Sequence, residues 1–131
     1  MGEIKKIKKI KHISLKVLRK KAWALQSEYI RQLEKGICFI CGKHGPWRET
    51  QAAHYIHGNR MDFDVLNIHC SCVRCNKWLH GNLGVYGERM IAEFGEQAVA
   101  ELRERSKLEH KFNIFELEAL INKYKALLSE L

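Results

Sequence analysis

Two cysteine pairs, Cys38-x-x-Cys41 and Cys72-x-x-Cys75, bracket a stretch of 30 residues. Thiolates two residues apart turn onto one ion, and two such pairs supply the four soft ligands of a closed tetrahedral zinc site. Disulfides are not expected: there are five cysteines, an odd number, and no secretory signal peptide. Cys70 is left over as a free thiol. The clamp would hold the segment between the pairs by metal rather than by a large core.

The clamped segment and the residues after it are rich in His and Asn: Gln51-Ala-Ala-His54-Tyr, Asn67-Ile-His69, and Asn76-Lys-Trp-Leu-His80-Gly-Asn82. If a helix starts near Val73, Asn76 and His80 lie four apart on one face. Together they would hold a divalent ion and leave positions open for water and phosphate. His54 falls on a strand-like segment, where a neutral imidazole could take a proton from water. Asn67 follows a loop and is placed to tie two strands together. His44 and His57 are expected to be structural, and Trp78 to be core.

These residues resemble the HNH, or His-Me finger, nucleases, in which a strand pair and a helix wrap one catalytic metal. They are most similar to a phage family, the NinG or Rap recombination proteins. The features that match are Leu18-Arg-Lys-Lys-Ala before Ser27-Glu-Tyr-Ile-Arg31, Cys38-x-x-Cys41-Gly42, Ala53-His54-Tyr55, Asn67-x-His69 before Cys72-x-x-Cys75-Asn76, and Gly81-Asn82 with Tyr86. The resemblance implies that His54 is the general base, Asn67 the middle Asn, and Asn76 and His80 the metal side. His69 takes a supporting role. Zinc would be structural, and Mg²⁺ or Mn²⁺ catalytic. It also implies a structure-selective DNA endonuclease acting on Holliday junctions and other branched DNA, leaving 5′-phosphate and 3′-hydroxyl ends, in the cytoplasm of a phage-bearing host. Many HNH nucleases place Asp or His before the base, where this chain has Ala53. Gln51, Asp62, Asp64 or water is left to complete the metal shell.

The elements that must position these groups can be read from apolar spacing. Ser14 can cap a helix over 14–36, with Leu15, Leu18, Ala22, Leu25, Tyr29 and Leu33 at helical intervals and Gly36 at its end. Residues 37–82 carry the punctuation of hairpins and loops and form the expected zinc-clamped ββα core. Gly81, Gly84 and Gly87 break or redirect the helix that starts near Val73. Residues 85–131 read as helices: Tyr86 to Phe94, Glu96 to His110, and a last one opened by an Asn113/Glu116 capping box. Its stripe, Leu117, Leu120, Ile121, Tyr124, Leu127 and Leu131, is core or a dimer seam. The expected fold class is therefore α+β, mostly helical, with residues 14–131 as one domain.

Charge is placed unevenly. Residues 1–21 hold nine Lys/Arg against Glu3, which is the entire net charge of +8, while residues 22–131 hold fourteen of each sign. A flexible basic arm over 1–13 and the start of the first helix are the expected polyanion footprint. Lys5, Lys6, Lys8, Lys9, Lys11, Lys16, Arg19, Lys20 and Lys21 are its DNA contacts, with Arg60, Arg74 and Lys77 added near the site. No apolar run approaches a membrane span. A junction enzyme must cut two opposed strands, which favours a two-fold dimer. The competing functions are an HNH nuclease for linear or unspecific duplex, and a non-catalytic zinc-dependent DNA-binding module.

Overall fold

A computed structural model describes the backbone of residues 2–131 and the side chains of residues 15–131 apart from Asn59. The contacts assigned to Lys5, Lys6, Lys8, Lys9 and Lys11 lie outside the described side chains. Four helices surround a two-stranded sheet: α1 (Gly2–Leu33), β1 (Gln51–His54), β2 (Ile68–Ser71), α2 (Leu83–Phe94), α3 (Glu96–Ser106) and α4 (Ile114–Ser129). The protein is mostly helical with a small β component, as its apolar spacing predicts.

α1 starts before Ser14, which is therefore an interior residue and not the cap expected of it. At its far end Lys35 and Gly36 take φ values of 57° and 69°, and a Cβ on Gly36 would meet the Gly45 carbonyl. Only glycine fits that close approach. α4 opens with the expected capping box. The Asn113 side chain accepts from the Glu116 amide, and the Glu116 side chain accepts from the Asn113 amide. α4 buries Leu117, Ile121 and Tyr124 against α1 in the most extensive helix contact of the fold. Half of the expected stripe is thus core within the chain, while Leu120 and Leu127 are half-buried and Leu131, beyond α4, is exposed.

β1 and β2 pair antiparallel, with Gln51 opposite Ser71, Ala53 opposite His69 and His54 opposite Ile68. Side chains alternate across a strand, so Ala52 and His54 leave by one face and Gln51 and Ala53 by the other. The His54 face meets Trp23 of α1. On the opposite face His69 stacks on Phe39 at 4.1 Å between ring centroids.

The segment after β2 departs from expectation. Arg74–Trp78 form one π-helical turn that ends at Leu79. His80, Gly81 and Asn82 come next with φ values of 52°, 92° and 47°, so the chain turns sharply before α2. α2 then runs through Gly84 and Gly87 without a break. Gly87 is there for packing: a Cβ would sit 2.8 Å from the Tyr55 hydroxyl. α3 stops at Ser106 rather than His110.

Candidate metal clamp and histidine site

The sequence around each cysteine pair makes a tight turn. Gly42 donates to the Cys38 carbonyl at 2.8 Å, and the Cys41 amide donates to Cys38 Sγ at 3.4 Å. In the second pair the Cys75 amide donates to Cys72 Sγ at 3.5 Å, and the Asn82 side-chain Nδ2 approaches Cys75 Sγ at 3.8 Å. All four sulfurs lie within 4.8 Å of one another, and those of Cys41 and Cys72 are 3.7 Å apart. Zinc–sulfur bonds of about 2.3 Å in a tetrahedron place sulfurs roughly 3.8 Å apart, so the cluster fits a zinc ion. With no ion among them the four thiols hinder one another's ionisation. Burial pushes the Cys38 thiol up, but the Cys41, Cys72 and Ile40 backbones outweigh it and bring it down to about 7. Burial pushes Cys75 up to about 12, with the Cys72 and Cys41 thiols adding to the rise. Four thiolates this close need a cation among them. Cys70 stands outside the cluster, buried, with its thiol pushed up by burial.

His54, at the end of β1, is fixed from two sides. Its ring stacks on Trp23 at 4.8 Å and 12°. Its Nε2 lies 2.9 Å from Asp62 Oδ1, and Asp62 Oδ2 accepts from Arg19 Nη2 at 2.7 Å. A carboxylate only accepts, so Nε2 carries the proton and Nδ1 keeps its lone pair. Burial lowers the imidazole below its ordinary value, against the opposing hydrogen bond and charge of Asp62. The neutral form is thereby favoured. His57, expected to be structural, is exposed with its ring 5.1 Å from that of His54.

Asn67 is fully buried. It accepts from the Ile56 amide at 2.8 Å and donates to the Ile56 carbonyl at 2.8 Å and the Met61 carbonyl at 3.1 Å. It therefore fixes both ends of the loop that delivers Asp62 to His54.

The other expected groups have settings of their own. Asn76 donates to Gln51 Oε1 at 2.7 Å, and Gln51 belongs to the face of β1 opposite His54. The shared helical face expected of Asn76 and His80 is absent, because the helical turn ends before His80. Among the described residues, the four cysteines are the His/Cys/Asp/Glu cluster that could hold a metal ion. Of the three side chains left to complete the shell, Gln51 is bound to Asn76. Asp64 is bound to Arg105 at 2.8 Å. Only Asp62 touches His54. Of the supporting role expected of His69, orienting phosphate or a neighbouring group, the direct phosphate contact is not open to it. One ring nitrogen meets Glu34 and the other the Leu66 carbonyl, each at 3.0 Å, which leaves neither for phosphate. Trp78 is not core: it is 71% exposed, with the Lys77 ammonium 5.8 Å from its ring centroid.

Several positioning residues escape sequence reasoning. Glu34 joins α1 to β2 through His69 and the Cys70 amide. Gln26, fully buried, donates to the Asp62 carbonyl at 2.6 Å and accepts from the Tyr124 hydroxyl at 3.0 Å. Its one signal is a polar residue at helical spacing between Ala22 and Ile30.

A family model described as "Bacteriophage Lambda NinG protein" matches residues 3–131. The chain belongs to the NinG family. "Protein ninG" of Escherichia phage 933W is 31% identical to it, over 94% of this chain and 64% of the relative. "Protein ninG" of Escherichia phage lambda and of Salmonella phage P22 are each 30% identical, over 94% of this chain and 63% of their own length. The chain thus spans a little under two thirds of these NinG relatives. No solved structure matches it significantly. No helix among the described residues is long and apolar enough to cross a membrane.

Proposed function

We propose that this NinG-family chain is a metal-dependent endonuclease that cleaves branched DNA, with His54 as its general base. The observation that carries the proposal is a neutral, oriented imidazole at the end of a basic helical stripe. Lys16, Arg19, Lys20 and Trp23 fall on one side of α1 at helical spacing. Trp23 stacks on His54, and Arg19 holds the carboxylate that orients it. Lys16 and Lys20 are exposed along the same side, so a polyanion drawn to the stripe arrives at His54.

The chemistry is hydrolysis of a phosphodiester. His54 Nδ1 takes a proton from water, the hydroxide attacks phosphorus, and the bond to the 3′ oxygen breaks; that oxygen takes a proton from solvent and His54 returns its own to solvent, leaving a 5′-phosphate and a 3′-hydroxyl. Zinc at Cys38, Cys41, Cys72 and Cys75 would hold β1 in place and would have no open position for water. Mg²⁺ or Mn²⁺ enters as a component of the assay, with Asn76 and His80 as its candidate ligands, and no step is assigned to it. The preference for branched DNA rests on the family resemblance.

The test is cleavage of a four-way junction beside a linear duplex of the same sequence, with Mg²⁺ or Mn²⁺. His54→Ala is expected to lose activity by about 10²–10⁴-fold with its zinc content unchanged. Full activity in that variant would remove His54 as the base. Equal cutting of both substrates would favour an unspecific HNH-type nuclease. DNA binding without metal-dependent nicking would leave a zinc-dependent binding module.

A further inference from the structure

The loop that carries Asp62 also presents Arg60, on a different side. Arg60 lines a cleft of about 350 Å³ between Asn59–Phe63 and the α3–α4 connection, together with Ser106, Lys107, His110 and Lys111. Its guanidinium Nε is buried and has no hydrogen-bond partner. Among the described residues, Arg60 has no other polar partner either. A guanidinium presents five N–H donors in a planar fork that matches phosphate. The Arg60 side chain is half-buried and lines the cleft, so its exposed part can meet an oxyanion there, and a charge-assisted bond to phosphate is among the strong ones.

The surroundings fit an anion. Lys107 and Lys111 are exposed on the cleft wall. The neighbouring carboxylates are largely committed elsewhere. Glu104 holds Lys107 at 2.9 Å on an open surface. Glu116 bonds His110 at 2.6 Å and caps α4. Asp64 is held by Arg105. Glu109 is the one acid lining the cleft, and it is exposed. The floor is rigid, because the Met61 carbonyl is held by buried Asn67 and the Met61 amide by the Gly58 carbonyl.

We infer that this cleft seats one phosphodiester of a bound DNA strand, gripped by the Arg60 guanidinium with Lys107 and Lys111 at its sides. The inference rests on the DNA reading above and adds a second contact to it. Asp62, two residues on, faces His54, so one loop would set the distance between the gripped phosphate and the base.

The experiment measures junction binding by the zinc-loaded full chain, through fluorescence anisotropy over a salt series. R60Q keeps a polar side chain of similar reach and removes the charge. It is expected to bind about tenfold more weakly near 0.1 M salt, with the slope of log K against log salt shallower by about 0.9, the value for one phosphate contact. K125Q removes the same charge from an exposed site on α4 and should leave both unchanged. R60K should recover part of the slope. Because the buried Nε has no partner, R60Q should melt no lower than the wild type. Binding and slope equal to wild type in R60Q would overturn the inference, while loss of cleavage in His54→Ala alone would not touch it. A fall in melting temperature would make Arg60 structural and overturn it too. Inorganic phosphate should compete with DNA at the cleft. If it raises the melting temperature of the wild type but not of R60Q, while DNA affinity is equal in both, the cleft takes free phosphate and lies off the DNA path.

Discussion

The two apolar clusters of this protein are held by different physics. One joins β1 to the cysteine turns and α2, and includes Cys38, Ala53, Cys72, Cys75, Tyr86 and Met90. The other lies between α1 and α4 and is built on Ala22, Phe63, Leu117 and Ile121, with Trp23 packed against it. In the first, short segments with little regular structure carry four thiols that a metal can join. In the second, two long helices bury apolar stripes, and ordinary packing suffices. His54 lies on the border. Its backbone belongs to β1 in the first cluster, whereas Trp23, Asp62 and Arg19 approach it from the side of the second. The candidate base is therefore in position only when both clusters are formed and docked.

Removing the metal is expected to separate the clusters most completely. Structural zinc contributes about 10–16 kcal/mol in small zinc-binding peptides, comparable to the ~5–15 kcal/mol stability of a whole domain. Chelation, or Cys72→Ser, should disorder residues 37–82 while α1 and α4 keep part of their helicity. Circular dichroism with a zinc assay checks this. An unchanged spectrum and melting curve after metal loss would show that the clamp does not depend on an ion. Leu117→Ala strikes the other cluster. Leu117 is 1% exposed, and truncating a buried leucine costs about 2–5 kcal/mol. The melting temperature should fall, yet each chain should still bind its zinc. Loss of zinc in this variant would mean that the two clusters form as one unit.

The same contrast decides which parts are legible in the sequence. The clamp is legible because ligand spacing is local: two residues between thiols suffice to define a half-site, and the four sulfurs do assemble. The α4 capping box, also local, is legible for the same reason. The stripe on α4 is visible, but its partner is not, since helical period alone does not distinguish α1 from a second chain. The setting of His54 is legible only in its strand and in Asp62 as one of several candidate neighbours; Trp23 and Arg19 are not foreseen beside it. Arg19 and Asp62 are 43 residues apart, and nothing in their types marks them as partners. Asn76 and His80 share a face only if the helix reaches His80, and it does not. The Gly81-Asn82 pair signals a turn, and the backbone makes it with three consecutive positive φ values. Trp78 looks like core by residue type, but the turn commits Cys75 to the interior and leaves Trp78, three residues on, outside.

The smallest effect, and the one aimed at the border itself, is Asp62→Asn. Asp62 raises the His54 imidazole through a hydrogen bond and through its charge, while burial and the nearby His57 lower it. The asparagine removes the charge and replaces the carboxylate by a weaker, neutral acceptor, so His54 should titrate lower still. Cleavage that needs the neutral imidazole falls as pH drops through that value, and the acidic limb of the pH–rate profile should move to lower pH. The maximal rate should also fall, because a weaker base takes the proton less readily. For stability the sign is the same. A group whose folded value is depressed contributes stability above its unfolded value, and that contribution is lost as pH falls through the folded one. The loss should therefore extend to a lower pH in the variant than in the wild type. Arg19 loses its carboxylate at the same time, so the thermal effect at neutral pH also reports the Arg19–Asp62 contact. The decisive measurement is the position of the limb: movement to higher pH would mean that Asp62 is not the group setting the His54 proton equilibrium.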